Sequence, residues 1–152
     1  MVLSQKEMAT IEDLKTQEQS CIKKYSFYEK EASDQVLKDL FKQLAESEQK
    51  HYDTLCHVAE GIVPQCNCND NDGKQYNPTA TYKSGEDSEE KKKDCFLVTD
   101  CIGTEKLVSG EYNSNVFIFG NSNIRKILAD IQIEEQNHAE MMWKYKTVNG
   151  MA

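Results

Sequence analysis

The chain has 152 residues and a net charge of −8, a length at which one domain buries roughly two-thirds of the surface its unfolded chain exposes. The isoelectric point is near 4.9, and with no run of basic residues backed by aromatics, nucleic acid is not expected as a partner. No segment reaches about 18 consecutive apolar residues, the length a membrane helix requires, so no membrane partner is expected either.

Two prolines and seven glycines favour long helices, and four segments carry a helical apolar period. The first is expected over 4–32, opened by Ser4 with Glu7 three residues on as a capping box. Its seam runs Ile11, Leu14, Glu18, Cys21, Tyr25, Tyr28 and Ala32. Ser33 and Asp34 break the pattern and cap a second helix over 34–62, with its seam at Leu37, Leu40, Leu44, Glu48, His51, Leu55, Val58 and Ile62. Residues 64–88 are polar, hold both prolines, and read as a connection. A third helix over 88–119 has its seam at Val98, Cys101, Glu105, Val108, Tyr112, Asn115 and Phe119. A fourth over 122–146 completes the set, with Ile124, Ile127, Ile131, Glu135, His138, Met142 and Tyr145 inward.

Within these seams Glu-x-x-His occurs twice, as Glu48 with His51 and Glu135 with His138. Each copy has a glutamate 30 residues upstream, Glu18 and Glu105, so the two halves repeat at a displacement of 87 residues. Glu and His three apart share one helix face. Two helices giving one Glu and two giving Glu-x-x-His form the ligand set of a dinuclear metal centre in a four-helix bundle. The alternative is surface charge on amphipathic helices plus two satisfied core histidines, which leaves four carboxylates in core positions unexplained. Buried unpaired, each would cost several kcal/mol or turn neutral, and two divalent cations supply the missing charge.

Height agrees with face. Glu18 and Glu48 lie 15 residues either side of residue 33, about 20 Å from that turn at 1.5 Å per residue. Glu105 and Glu135 straddle residues 120–121 similarly. Glu29 lies too near a turn and Glu111 points the wrong way around its helix. A return run of roughly 40 Å needs at least about 12 extended residues, so 64–88 suffices for a long crossover between helices 2 and 3, and a shorter path is also open to it. Tyr25 and Tyr112, each seven residues after an upstream glutamate, either hydrogen-bond the carboxylates or simply pack in the core.

Of the six cysteines, Cys21, Cys56, Cys95 and Cys101 fall in helical patterns and are expected as small buried residues. Cys66-x-Cys68 lies in the polar connection and could bind metal, cross-link subunits or have no role. Residues Met1 to Glu7 hold no apolar secretory core, so a reducing, cytoplasmic compartment with free thiols is expected. Glu86 to Asp94 reads as a solvated helix start, and His57 as a surface residue.

With these residues in place the chain resembles the ferritin-like di-iron carboxylate proteins, which include bacterioferritin and rubrerythrin. The resemblance implies an all-α ferritin-like four-helix bundle over the single domain 1–152, and two metal ions, iron preferred and manganese allowed. It implies that Glu48 and Glu135 bridge, with Glu18 and His51 completing one metal and Glu105 and His138 the other. Tyr25 and Tyr112 match tyrosines that hydrogen-bond the ligands in that group. The paired Cys-x-x-Cys motifs of a rubredoxin module are absent, and Val108 stands where rubrerythrins carry a further glutamate. The same resemblance implies an oxidoreductase, ferroxidase- or peroxidase-like, that takes O2 or peroxide, has an unidentified reductant and forms a homodimer. The rival is a structural, coat-type protein binding metal for stability alone, and the ending from Asn149 resembles ferritin-like coat proteins of spore formers.

Overall fold

The computed structural model describes residues 1–151. Helix α1, Gln5–Glu31, opens on the expected capping box, with the Ser4 hydroxyl accepting from the Glu7 N–H and the Glu7 carboxylate from the Ser4 N–H. Asp34 caps α2, Gln35–Ala59, by accepting from the Val36 N–H. This helix stops three residues before the expected end. Gly61 turns the chain away at φ 80, where a Cβ would meet the Met1 carbonyl, and leaves Ile62 53% exposed instead of on the seam.

The connection holds a one-turn helix, α3, Asp72–Gln75, too short to show a sequence period. Then α4 runs Glu89–Asn115 and tightens into a 3-10 turn, Val116–Ile118, so the α-helix ends before the expected residue 119. The tighter turn still carries Phe119 into the core, 3% exposed. Asn121 caps the last helix, α5, Ser122–Val148, through bonds from the Asn123 and Ile124 N–H groups.

Contacts between helix ends fix the topology. The Ser33 and Asp34 N–H groups, at the α1–α2 turn, bond the Asp94 carboxylate at the start of α4. At the opposite end the Gly120 N–H bonds Glu7. Thus α4 runs antiparallel to α1, and the connection must return along the bundle. It does so as a strap along α5, touching Asp130, Glu134, Asn137, Lys144 and Asn149 in that order. The Gly73 N–H donates to Asn137 (2.8 Å), and a Cβ on Gly73 would collide with Asn137 and Glu140. The chain is therefore an all-α ferritin-like bundle with a long crossover, and no strand occurs among the described residues.

Asp94 corrects the reading of its segment as solvated. It is fully buried, accepting from Ser33, Asp34 and the Tyr82 hydroxyl, because the first N–H groups of α2 and its turn lack partners within the helix. Cys21 and Cys101 are buried as expected, while Cys56 and Cys95 are only partly covered. No described helix is long and apolar enough to cross a membrane.

Two apolar clusters fill the bundle. One, around Tyr25, Leu37, Phe41, Leu44 and Met142, lies toward the α1–α2 turn. The other, around Ile11, Leu14, Leu55, Ile124 and Leu128, lies toward the α4–α5 turn. Between them sits one polar layer.

Candidate metal centre

That layer consists of Glu18, Glu48, His51, Glu105, Glu135 and His138, none more than 3% exposed. Their helices place them at one height, as the repeat predicts. Two overlapping groups could each hold an ion: Glu18, Glu48, His51 and Glu135, and Glu48, Glu105, Glu135 and His138. Within each group the ligand atoms lie within 4.8 Å of one another, and Glu48 and Glu135 belong to both.

Both imidazoles turn Nδ1 inward. His51 Nδ1 is 3.0 Å from Glu48 Oε2, 3.1 Å from Glu135 Oε1 and 3.8 Å from Glu18 Oε1. His138 Nδ1 is 3.2 Å from Glu48 Oε1 and 3.5 Å from both Glu105 Oε1 and Glu135 Oε2, without hydrogen-bonding geometry. The rings stack, centroids 5.7 Å apart. Their outer nitrogens differ in partner: His51 Nε2 meets Glu134 Oε2 at 2.6 Å, and His138 Nε2 meets the Ser47 hydroxyl at 2.9 Å. Without metal, His51 Nδ1 also donates to the Glu48 carboxylate. The bond from Nε2 to Glu134 keeps a proton on that outer nitrogen, so Nδ1 is the atom that would give up its proton to a cation.

The tyrosines cross over. Tyr25 on α1 donates to Glu105 on α4, and Tyr112 on α4 donates to Glu18 on α1. Each braces a glutamate of the other hairpin instead of its own, a pairing that the linear spacing does not reveal. Burial, then the neighbouring carboxylates, push both phenols well above their usual range, so they act as donors.

Among the buried side-chain atoms, those without a hydrogen-bond partner are Glu18 Oε2, Glu48 Oε1, Glu105 Oε2, both Glu135 oxygens, His138 Nδ1 and the Tyr76 hydroxyl. All but the last belong to this layer. Buried polar atoms normally find partners, so lone pairs gathered at one point mark a cation site, and carboxylate with imidazole suits iron or manganese.

Electrostatics agrees. Burial, then the charges of Glu48 and Glu135, raises Glu18 well above the ordinary carboxylate range. Burial with Glu135 and Glu48 does the same to Glu105. Burial also pushes Glu48 upward, but the His138 and His51 imidazoles override it and hold Glu48 low. Burial would lower both histidines; the carboxylates around them win and raise both. Protons thus neutralise a cluster whose four carboxylates two divalent cations would balance.

Ser47 and Glu134 escaped the sequence reading. A signal existed: they too are separated by 87 residues, each immediately before a Glu-x-x-His glutamate. Their positions lie at the layer's edge, Glu134 being held by the strap through the Asn69 N–H at 2.9 Å. A cavity of about 280 Å3, lined by Ser47, Lys50, Asn69, Glu134 and His138 among others, opens beside this edge. Glu111 is exposed and Glu29 lies outside the layer, as expected.

No curated protein and no solved structure matches the chain. A model of one family, rubrerythrin, matches residues 11–146, a span that runs from the first seam residue to the end of the fourth expected helix and includes the whole polar layer. With the crossover bundle and the paired carboxylate–histidine groups at its centre, the chain belongs to the rubrerythrin family of the ferritin-like superfamily.

Proposed function

We propose that the chain is a dinuclear iron carboxylate protein that reduces peroxide or O2. Glu48 and Glu135 would be shared between the two metals, with Glu18 and His51 holding one and Glu105 and His138 the other. The observation that carries this reading is the convergence of six partnerless buried atoms on these residues. When bound, the metal pair supplies two-electron redox chemistry and Lewis acidity. The protein's part is to fix the ligands. Glu134 and Ser47 hold the imidazoles by their outer nitrogens, and Tyr25 and Tyr112 fix Glu105 and Glu18 while leaving one oxygen of each free. The cavity beside His138 and Glu134 admits a molecule as small as peroxide, and the flanking apolar clusters exclude bulk water. Manganese fits the same donors.

Elemental analysis of the wild type beside Glu48→Ala/Glu135→Ala tests the ligand set. Near two iron or manganese atoms per chain, lost in the double variant together with peroxide turnover, is the expected result. Unchanged turnover in the variant sinks the reading. One observation bears on a second reading, a structural, coat-type protein using metal for stability: Phe96, Leu107 and Phe117 are 68%, 73% and 85% exposed, apolar side chains that a contact within a coat would cover. It predicts a melting temperature that tracks metal content, with no reaction between the reduced protein and peroxide.

A further inference from the structure

The strap brings Cys66 and Cys68 to the edge of the polar layer. Cys68 Sγ lies 3.6 Å from the Asp130 carbonyl of α5, one turn before Glu134. The next residue, Asn69, donates its N–H to Glu134 Oε1 at 2.9 Å, and Glu134 Oε2 meets His51 Nε2 at 2.6 Å. A continuous path therefore runs from the Cys68 thiol through one peptide unit and Glu134 to an imidazole of the layer. Cys66 packs against the apolar cluster near the α4–α5 turn and lines an open cavity of about 400 Å3 with Lys126, Ile127 and Asp130.

All six thiols are free, and among them only these two are near neighbours in sequence. Residues two apart have Cα atoms at most about 7 Å apart, which overlaps the roughly 4.4–6.8 Å a disulfide takes, so the bridge requires the thiols to turn from Thr54 and the Asp130 carbonyl toward each other. Neither thiol belongs to a group of described residues that could hold a metal ion. Burial, with Asp130 and Glu134 nearby, raises both thiols, so both carry their protons at rest.

We propose that Cys66 and Cys68 are a redox-active dithiol that supplies two electrons to the carboxylate–histidine centre and closes to a disulfide. The inference rests on the peroxide reaction proposed above. The two S–H bonds break and an S–S bond forms, releasing two electrons and two protons. The peroxide O–O bond breaks as it takes up both, giving two water molecules. The disulfide is reopened by an external dithiol through thiol–disulfide exchange, with attack at Cys66, whose side borders the open cavity.

The test uses the full chain, metal-loaded and reduced, given one equivalent of hydrogen peroxide per chain without oxygen. Thiols are counted and linked peptides mapped by mass spectrometry. The expected result is a fall from six to four thiols, a Cys66–Cys68 linked peptide, and bridging at least tenfold slower in metal-free Glu48→Ala/Glu135→Ala. Cys66→Ser/Cys68→Ser should keep its metal content and, once reduced chemically, consume one equivalent of peroxide, but fail to draw further turnovers from an external dithiol. Peroxide consumed by the wild type with Cys66 and Cys68 still reduced overturns the dithiol and spares the metal reading. Bridging equally fast without metal likewise overturns the dithiol alone. No peroxide consumption by loaded, reduced wild type overturns both.

Discussion

Loading the metal-free protein should release protons in a number the polar layer sets. Without metal, His51 and His138 are raised above their ordinary 6.5 by the surrounding carboxylates. Glu18 and Glu105 are raised above 4.5, first by burial and then by neighbouring charge. Two imidazolium ions balance the Glu48 and Glu135 carboxylates, and two neutral acids add nothing, so the buried layer carries no net charge. Four carboxylates with two divalent cations are again neutral. The exchange is then up to four protons for two metals, because imidazole and carboxylate ligate only when deprotonated. Protons leave, so affinity rises with pH. The magnitude is about tenfold per proton per pH unit, hence about 100-fold per metal ion. The metal-free protein moves the opposite way. Stability from the raised histidines is complete below 6.5 and is lost as pH rises through their higher folded values, and ionising Glu18 and Glu105 adds to the loss. Calorimetric titration with Mn(II), or anaerobic Fe(II), in buffers of different ionisation enthalpy reads the proton count. Fewer than one proton per metal, or an affinity indifferent to pH, would refute this account of the layer's charge.

Three more outcomes are expected. Tyr25→Phe should weaken the metal held by Glu105 and His138 about tenfold, and Tyr112→Phe the one held by Glu18 and His51, each resolved as one step of a titration. Replacing Glu18 and Glu105 with leucine should abolish metal binding yet stabilise the metal-free protein by about 1–4 kcal/mol in urea unfolding; a loss of stability there would count against the buried-charge argument. Asp94→Ala strips acceptors from two backbone N–H groups and the Tyr82 hydroxyl. It should cost about 3 kcal/mol while leaving metal stoichiometry intact.

Much of the polar layer could be read from the chain because its carboxylates and imidazoles occupy seam positions, where burying a charged side chain is costly. The 87-residue repeat then tied Glu18, Glu48 and His51 to Glu105, Glu135 and His138. Chain length allowed the long crossover without requiring it; the bonds from Ser33 and Asp34 to Asp94 decide it. Features made between distant elements were harder to read. The exchange of tyrosines between hairpins depends on which helices face each other, and helical period carries no such information. Asp94 looks like one more acid beside Lys91, Lys92 and Lys93; its burial comes from a turn 60 residues away. Glu134 and Ser47 border the seam, and their role depends on where a histidine's second nitrogen points. Helix ends shifted wherever local geometry outweighed periodicity, at Gly61 and in the 3-10 turn after Asn115.

The polar layer is divided evenly: α1 and α2 contribute Glu18, Glu48 and His51, while α4 and α5 contribute the other three. Each hairpin is closed by near-neighbour contacts, which form quickly, whereas joining the hairpins requires closing long loops and is slower. Two carboxylates and one imidazole on an isolated hairpin can stay hydrated, so assembling either half meets no electrostatic obstacle. Four carboxylates come together only when the halves dock. The late, bimolecular-like step of folding is therefore the one that senses protons and cations, and refolding should accelerate with added metal only in that phase. On this account the last act of folding is also the assembly of the polar layer.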